Sequence, residues 1–302
     1  KPAWDLANPA LKRVAKLALP AAFGAAVYQL TVFINTVLAS LLPTGSVSYL
    51  YYADRLIEFP LGIFAIAVST AILPSLSRQA ADGDHPALID TMGFGLRLTM
   101  FINLPAMAGL IVLAQPLVLL IFARGQFGGA EAMATTGALW GYAAGLWAFA
   151  ALRSVLPAYY AMKDTITPVK VGVVALIINL AASLALMGPL LHTGLALATS
   201  ISGAANLGIL LWLLRKRLGP LGGRRILGSM LKACLASAIM AGVVGLAAYL
   251  PDWSGAGSWL ARYVRPLACV LLGGVVYLAA AWLLRMPELA ELMQILRNRR
   301  SG

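Results

Sequence analysis

Residues 50–76 read LYYADRLIEFPLGIFAIAVSTAILPSL, and the mixture of apolar length with three charges in this stretch decides the fold. A helix needs about 20 apolar residues to cross a hydrocarbon core about 30 Å thick. This stretch is longer than that, yet it carries Asp54, Arg55 and Glu58 near one end. Charge inside a membrane span costs several kcal/mol unless it is paired, and its presence points to function. Asp54 and Glu58 are four apart and share a helix face, while Arg55 and Glu58 are three apart and are also neighbours. The three can therefore compensate one another. Pro60 has no N–H for the carbonyl of Leu56, which weakens or bends the helix beside the charges.

Working outward, the same apolar character recurs through 302 residues that are 61% hydrophobic and 11% charged. The expected spans are 14–42, 50–76, 92–121, 132–160, 169–190, 193–214, 227–250 and 262–284. Their hydrophobicity is continuous rather than alternating, which favours helices over a β-barrel. Backbone groups in lipid must be satisfied within the segment, and a helix does that. The fold class expected is an all-α polytopic membrane bundle of about eight helices, not a water-soluble globule.

The formal charge of +12 comes from 23 Lys+Arg against 11 Asp+Glu. If eight spans place both ends on one side, 17 of the basic residues fall on that side and three (Arg124, Arg262, Arg265) on the other. Arg55, Arg97 and Arg153 lie within spans. This asymmetry speaks for a membrane topology with both chain ends cytoplasmic, and against nucleic acid as the partner. Cys234 and Cys269 fall inside spans and read as small apolar filler. The chain opens on Lys-Pro-Ala-Trp with no signal-peptide pattern, as a piece of a longer protein would.

Residues 1–13 are expected to be a linker, Ser77–Asp90 a polar cytoplasmic loop, and Arg215–Arg225 a basic, Gly/Pro-rich boundary before the last two spans. Thr167 reads as an N-cap with Pro168 at the first helical position. The tail Pro287–Gly302 reads as an amphipathic surface helix beside anionic headgroups. Leu19-Pro20-Ala21 with Gly24 matches Leu104-Pro105-Ala106 with Gly109, which suits a transporter repeat or simply the composition of membrane helices.

Arg55 lies roughly 8 Å inside the outer edge of its span. Its guanidinium suits bidentate contact with phosphate. It could equally reach water past a belt of Tyr49, Tyr51 and Tyr52. Arg97 and Arg153, near the cytoplasmic ends of their spans, either reach water too or form a cationic trail towards Arg55. The candidate substrate-binding residues are thus Arg55, Asp54, Glu58, Arg97 and Arg153. Asn35, Asn179, Ser183 and Thr199 are uncharged candidates for a cation site, or else hydrogen-bond between helices. His85 with Asp82, Asp84 and Asp90 reads as a polar turn rather than a metal site, and no catalytic constellation is found. A phosphate-processing enzyme, another exporter, and a non-transporting scaffold remain the competing classes.

Ala39-Ser40-Leu41-Leu42 with Gly45-Ser46-Val47, Tyr51-Tyr52-Ala53-Asp54-Arg55-Leu56, and Glu58-Phe59-Pro60 resemble the MurJ/MviN family of lipid II flippases. So do Leu73-Pro74-Ser75-Leu76-Ser77, Phe122 with Arg124-Gly125 and Phe127, Tyr160-Ala161 with Asp164-Thr165 and Thr167-Pro168, and Gly194-Leu195-Ala196-Leu197-Ala198-Thr199. The resemblance runs from about residue 8 to 217; beyond it, only two further spans and a basic tail correspond. It implies one six-helix lobe (14–217) of a two-lobed exporter of the multidrug/oligosaccharidyl-lipid/polysaccharide superfamily, followed by two additional helices (218–302). It further implies transport of lipid II (undecaprenyl-pyrophosphate-linked saccharide-peptide) across the bacterial inner membrane. A first lobe, in cis or trans, would be the partner, and the last two helices would border a groove for the lipid tail. Arg55 corresponds to the family's cavity arginine on this lobe. No cofactor is implied beyond coupling to the membrane potential or a cation gradient. Members proposed to bind sodium have carboxylates on cavity helices, where Asn35 and Ser183 stand here.

Overall fold

A computed structural model describes residues 9–125, 127–249 and 259–291. These form helices and short connections, with no strand among the described residues. In chain order the helices are α1 (Pro9–Ser40), α2 (Ser46–Pro60), α3 (Ile66–Asp82), α4 (His85–Val112) and α5 (Ala114–Phe122). They continue with α6 (Gly129–Ala143), α7 (Leu146–Ala161), α8 (Ile166–Leu218), α9 (Gly223–Tyr249) and α10 (Trp259–Leu283). Five helical segments are long and apolar enough to cross a membrane, or six when α6 and α7, bent by 42°, form one broken span. Each of the eight apolar stretches coincides with helix.

Two of those stretches lie within α8, and α8 is not one straight rod. Leu191 adopts φ 51° and ψ −134°, a conformation foreign to an α-helix. The Asn179 amide donates to Thr199 Oγ at 3.3 Å across a separation of 20 residues. A straight helix would hold those residues about 30 Å apart. The chain therefore doubles back at Leu191 into a helical hairpin. Gly194 permits the turn, since any side chain there would run into the backbone carbonyl of Leu186.

The returning half of α8 packs on α6. Gly137, Gly141 and Gly145, each four apart, leave a groove in the α6–α7 segment that receives Thr193, Ala196 and Ser200. A Cβ on Gly141 would come within 2.7 Å of the Ala196 methyl and 2.9 Å of the Thr193 carbonyl. Ser200 Oγ donates to the Gly141 carbonyl at 2.6 Å. Small residues in membrane helices allow such close backbone approach, which replaces the missing hydrophobic driving force.

Prolines govern how the remaining helices dock. Pro105 cannot donate to the carbonyl of Phe101, and Tyr277 of α10 supplies its hydroxyl there at 2.6 Å. Pro116 likewise leaves the carbonyl of Val112 open, and Tyr249 of α9 donates to it at 3.1 Å. Trp140 of α6 donates to Ile111 beside it at 2.9 Å. Helices α9 and α10 are thus held on α4 and α5 partly through carbonyls that proline has freed.

Several expectations give way. Ser77–Asp90 is not a loop: α3 continues to Asp82 and α4 starts at His85, with only Gly83 and Asp84 between. Polar helix ends project past the apolar spans, and Asp84 caps α4 by accepting from Ala87 N at 3.0 Å. The linker expected over 1–13 overlaps α1, which begins at Pro9; residues 1–8 lie outside the described residues. Thr167 is not the cap of α8. Thr165 stands at the cap position, and Asp164 before it meets the first turn, accepting from Thr167 N at 3.0 Å and from its hydroxyl at 2.8 Å. The tail is not wholly a surface helix: Glu288 is completely buried, while residues 292–302 lie outside the described residues.

Two outcomes test this packing. Tyr277→Phe leaves a buried carbonyl without a donor and should lower stability by about 1–3 kcal/mol, read as a loss in detergent unfolding temperature. An unchanged value would show that Phe101 finds another donor. Burial pushes the Asp164 carboxyl up, but the Thr167 hydrogen bonds and Arg217 at 2.8 Å outweigh it and hold it below its ordinary 3.8. A carboxyl depressed in the folded state stabilises above its unfolded value, and that contribution is lost as pH falls through the folded one. Asp164→Asn should therefore cost about 1 kcal/mol at pH 7, with the gap to wild type closing in denaturation curves below pH 3.8.

Candidate functional site

The buried face of α2 consists of Ser46, Leu50, Ala53, Ile57 and Pro60, spaced three or four apart. That stripe leaves Tyr51, Arg55 and Glu58 exposed and Asp54 half-buried at its flank. Tyr52 fastens the end of α2 nearest the α5–α6 connection. Its ring lies 4.7 Å from that of Phe122 and 5.6 Å from that of Phe127. The expected tyrosine belt is therefore divided in role, since Tyr51 belongs to the charges and Tyr49 stacks on His192 at 5.3 Å.

Arg55 forms an ion pair with Glu58, with the two side chains 51% and 49% exposed. The guanidinium carbon also sits 4.7 Å above the Tyr51 ring centroid. A carboxylate on one side and an aromatic face on the other fix a long side chain that would otherwise be mobile. Only one of the five guanidinium N–H donors is engaged by Glu58 in this pair, so further oxygens have places to bind.

Other helices complete the site. Tyr28 of α1 lies within electrostatic reach of Asp54, Glu58, Arg55 and Arg153. Arg153, exposed on α7, reaches Tyr28 but does not figure among the charges acting on Asp54 or Arg55, and Tyr142 of α6 feels both Asp54 and Tyr28. Three of the five candidate residues come from α2 and the fourth from α7. Tyr28, Tyr142 and the platform role of Tyr51 were not foreseen; a tyrosine in an apolar stretch gives no sign of the helix it will face.

Arg97 does not belong to this group. Its Nε is 3.3 Å from a carboxylate oxygen of the buried Glu288. The cationic trail expected from Arg97 to Arg55 is replaced by a closed pair, because the start of the tail turns inward and supplies the counter-charge.

The four uncharged candidates do converge in part. Asn35 and Asn179 both donate to Thr199 Oγ, at 3.1 and 3.3 Å, and Thr199 donates to the Leu195 carbonyl at 3.0 Å. That hydroxyl has no lone pair left for a metal. Asn35 Oδ1 and Ser183 Oγ are buried without partners. The arrangement forms a hydrogen-bonded clamp between α1 and the two halves of α8. Among the described residues no group of three His, Cys, Asp or Glu could hold a metal ion.

The family model described as "Lipid II flippase MurJ" matches residues 1–264. A protein of Vibrio cholerae named "Probable lipid II flippase MurJ" is 39% identical over 210 residues, covering 70% of this chain and 40% of that one. The "Lipid II flippase MurJ" of Burkholderia cenocepacia is 32% identical over 288 residues, covering 94% of this chain and 55% of that one. Among solved structures, "Lipid II flippase MurJ, inward closed conformation" superposes with a TM-score of 0.73 at 27% identity, over 94% of this chain and 56% of that one. A MOP superfamily transporter from Pyrococcus furiosus shares the fold, with a TM-score of 0.56 at 16% identity. The chain spans about half the length of the curated relatives it matches. It is a multi-pass, all-α membrane protein, and it belongs to the lipid II flippase MurJ family.

Proposed function

We propose that the protein containing this lobe carries lipid II from the cytoplasmic to the periplasmic leaflet of the bacterial inner membrane. The observation that carries the reading is Arg55, half exposed and held between Glu58 and Tyr51 on the open face of α2. Such a guanidinium can exchange part of its bond to Glu58 for diphosphate oxygens, in the fork geometry that lysine lacks. Glu58 balances the charge of Arg55 between substrates. Arg97 acts away from this path.

On this reading residues 14–217 form the second lobe, and a first lobe, in cis or trans, faces the Arg55 cluster across a central cavity. The helices after residue 218 border a groove in which the polyprenyl tail stays in lipid. Both chain ends lie in the cytoplasm, in keeping with the basic residues gathered on one side. The protein works as a carrier and not as an enzyme. The membrane potential biases the cycle, since one charge moved through 100 mV is worth about 2.3 kcal/mol.

Complementation tests the reading. In a bacterium depleted of its own flippase, this chain together with a first lobe should restore growth. Arg55→Ala should fail to restore it, and Arg55→Lys should restore it only in part, at wild-type abundance in the membrane. Growth of Arg55→Ala at the wild-type rate would remove Arg55 from the mechanism. The neutral clamp gives a second outcome: the unfolding temperature should be the same in sodium and in choline chloride. A rise in sodium alone that Thr199→Val removes would mean that a cation does bind there.

A further inference from the structure

At the end of the bundle where α9 begins and α10 finishes, a cavity of about 310 Å³ opens beside α4. Arg97, Arg224, Arg225, Lys232, Ser229 and Glu288 supply its polar wall. Glu288 is fully buried, receives the Ser229 hydroxyl at 2.7 Å and faces Arg97. The charge of Arg97 is thus consumed at the back of the cavity. Arg224, Arg225 and Lys232 are exposed, and among the described residues no carboxylate pairs with them. The Lys232 ammonium donates to the Leu284 carbonyl at 3.2 Å, which holds it at the rim where α10 ends.

Arg224, Gly228 and Lys232 are four apart and share one face of α9. Nothing lies within 4 Å of where a Gly228 side chain would stand. Two cations about 12 Å apart along the axis therefore flank an open notch with backbone at its floor. The neighbouring face of α9 is apolar and turned outward: Leu227, Leu231, Leu235 and Ile239 are all exposed, again at four-residue spacing. A cationic notch joined to an acyl-facing stripe matches an amphiphile with an anionic head.

We propose that this cavity binds the phosphodiester headgroup of an anionic membrane phospholipid, whose acyl chains lie along the α9 stripe. The site is separate from the Arg55 cluster and does not depend on what the carrier transports. A free phosphate ion would use the cations but not the stripe, so the lipid is the favoured source of the anion.

The test uses the purified protein in phosphatidylcholine nanodiscs containing increasing phosphatidylglycerol, with retained lipid counted by mass spectrometry. Wild type should retain phosphatidylglycerol selectively. Replacing Arg224, Arg225 and Lys232 with Gln should weaken its apparent affinity on the order of 100-fold. A charge-matched variant with Gln at Arg78, Arg215 and Lys216 should stay close to wild type. Equal loss in both variants would reduce the effect to general surface charge and overturn the site. Inorganic phosphate competing as well as phosphatidylglycerol would overturn the lipid. Gly228→Leu closes the notch without altering charge, so undiminished retention in that variant would overturn the proposal even if the triple variant failed to fold.

Discussion

In lipid, a backbone carbonyl without a donor has no water to turn to, and this architecture is arranged around that constraint. Pro105 and Pro116 each remove a donor from the α4–α5 region. The carbonyls they release, on Phe101 and Val112, are met by Tyr277 and Tyr249 from helices far along the chain. Proline here sets an address as well as a bend. It marks where a later helix must place a hydroxyl, and so it couples the position of α9 and α10 to the shape of α4. The glycine groove in α6 and α7 brings backbones together as well, and there Ser200 meets the Gly141 carbonyl.

The charges obey the same logic in a medium that penalises them. Arg97 and Glu288 are closed on each other, with Ser229 as a third member. Breaking such a buried pair from one side strands the other charge, so the contact holds the start of the tail against α4 and α9. Arg55 and Glu58 are paired as well, but half exposed and on an open face. The two guanidiniums differ in availability, and availability is what separates an internal brace from a binding group.

Much of this was legible from residue order. Continuous apolar runs marked the helices, and the spacing of Asp54, Arg55 and Glu58 foretold a compensating cluster. What escaped was contact between distant segments. The spans 169–190 and 193–214 already part at Leu191, where the chain reverses, but its closure by Gly194 and the Asn179–Thr199 contact has no sign in the sequence. Glu288 sits in a basic, polar tail that read as surface, and only Arg97 and Ser229 explain its burial. The helical continuation over Ser77–Asp82 was hidden because its polarity looked like a loop, although polarity alone does not end a helix. Tyr28 and Tyr142 carry no local signature of the cluster they join.

Between α2 and α3 the chain makes one π turn, Leu61–Ala65, immediately after Pro60. A π turn holds one residue more than an α turn, so it resets the rotary phase of everything that follows by about 100°. That offset lets Val68, Ile72 and Leu76 face inward on α3 while Arg55 and Glu58 look outward on α2. The segment is in effect an indexed shaft: tightening the wide turn to ordinary pitch, with α3 still seated on α4 and α7, would swivel the charged group about its own axis. A single extra residue thus fixes the angle between the charged face of α2 and the buried face of α3.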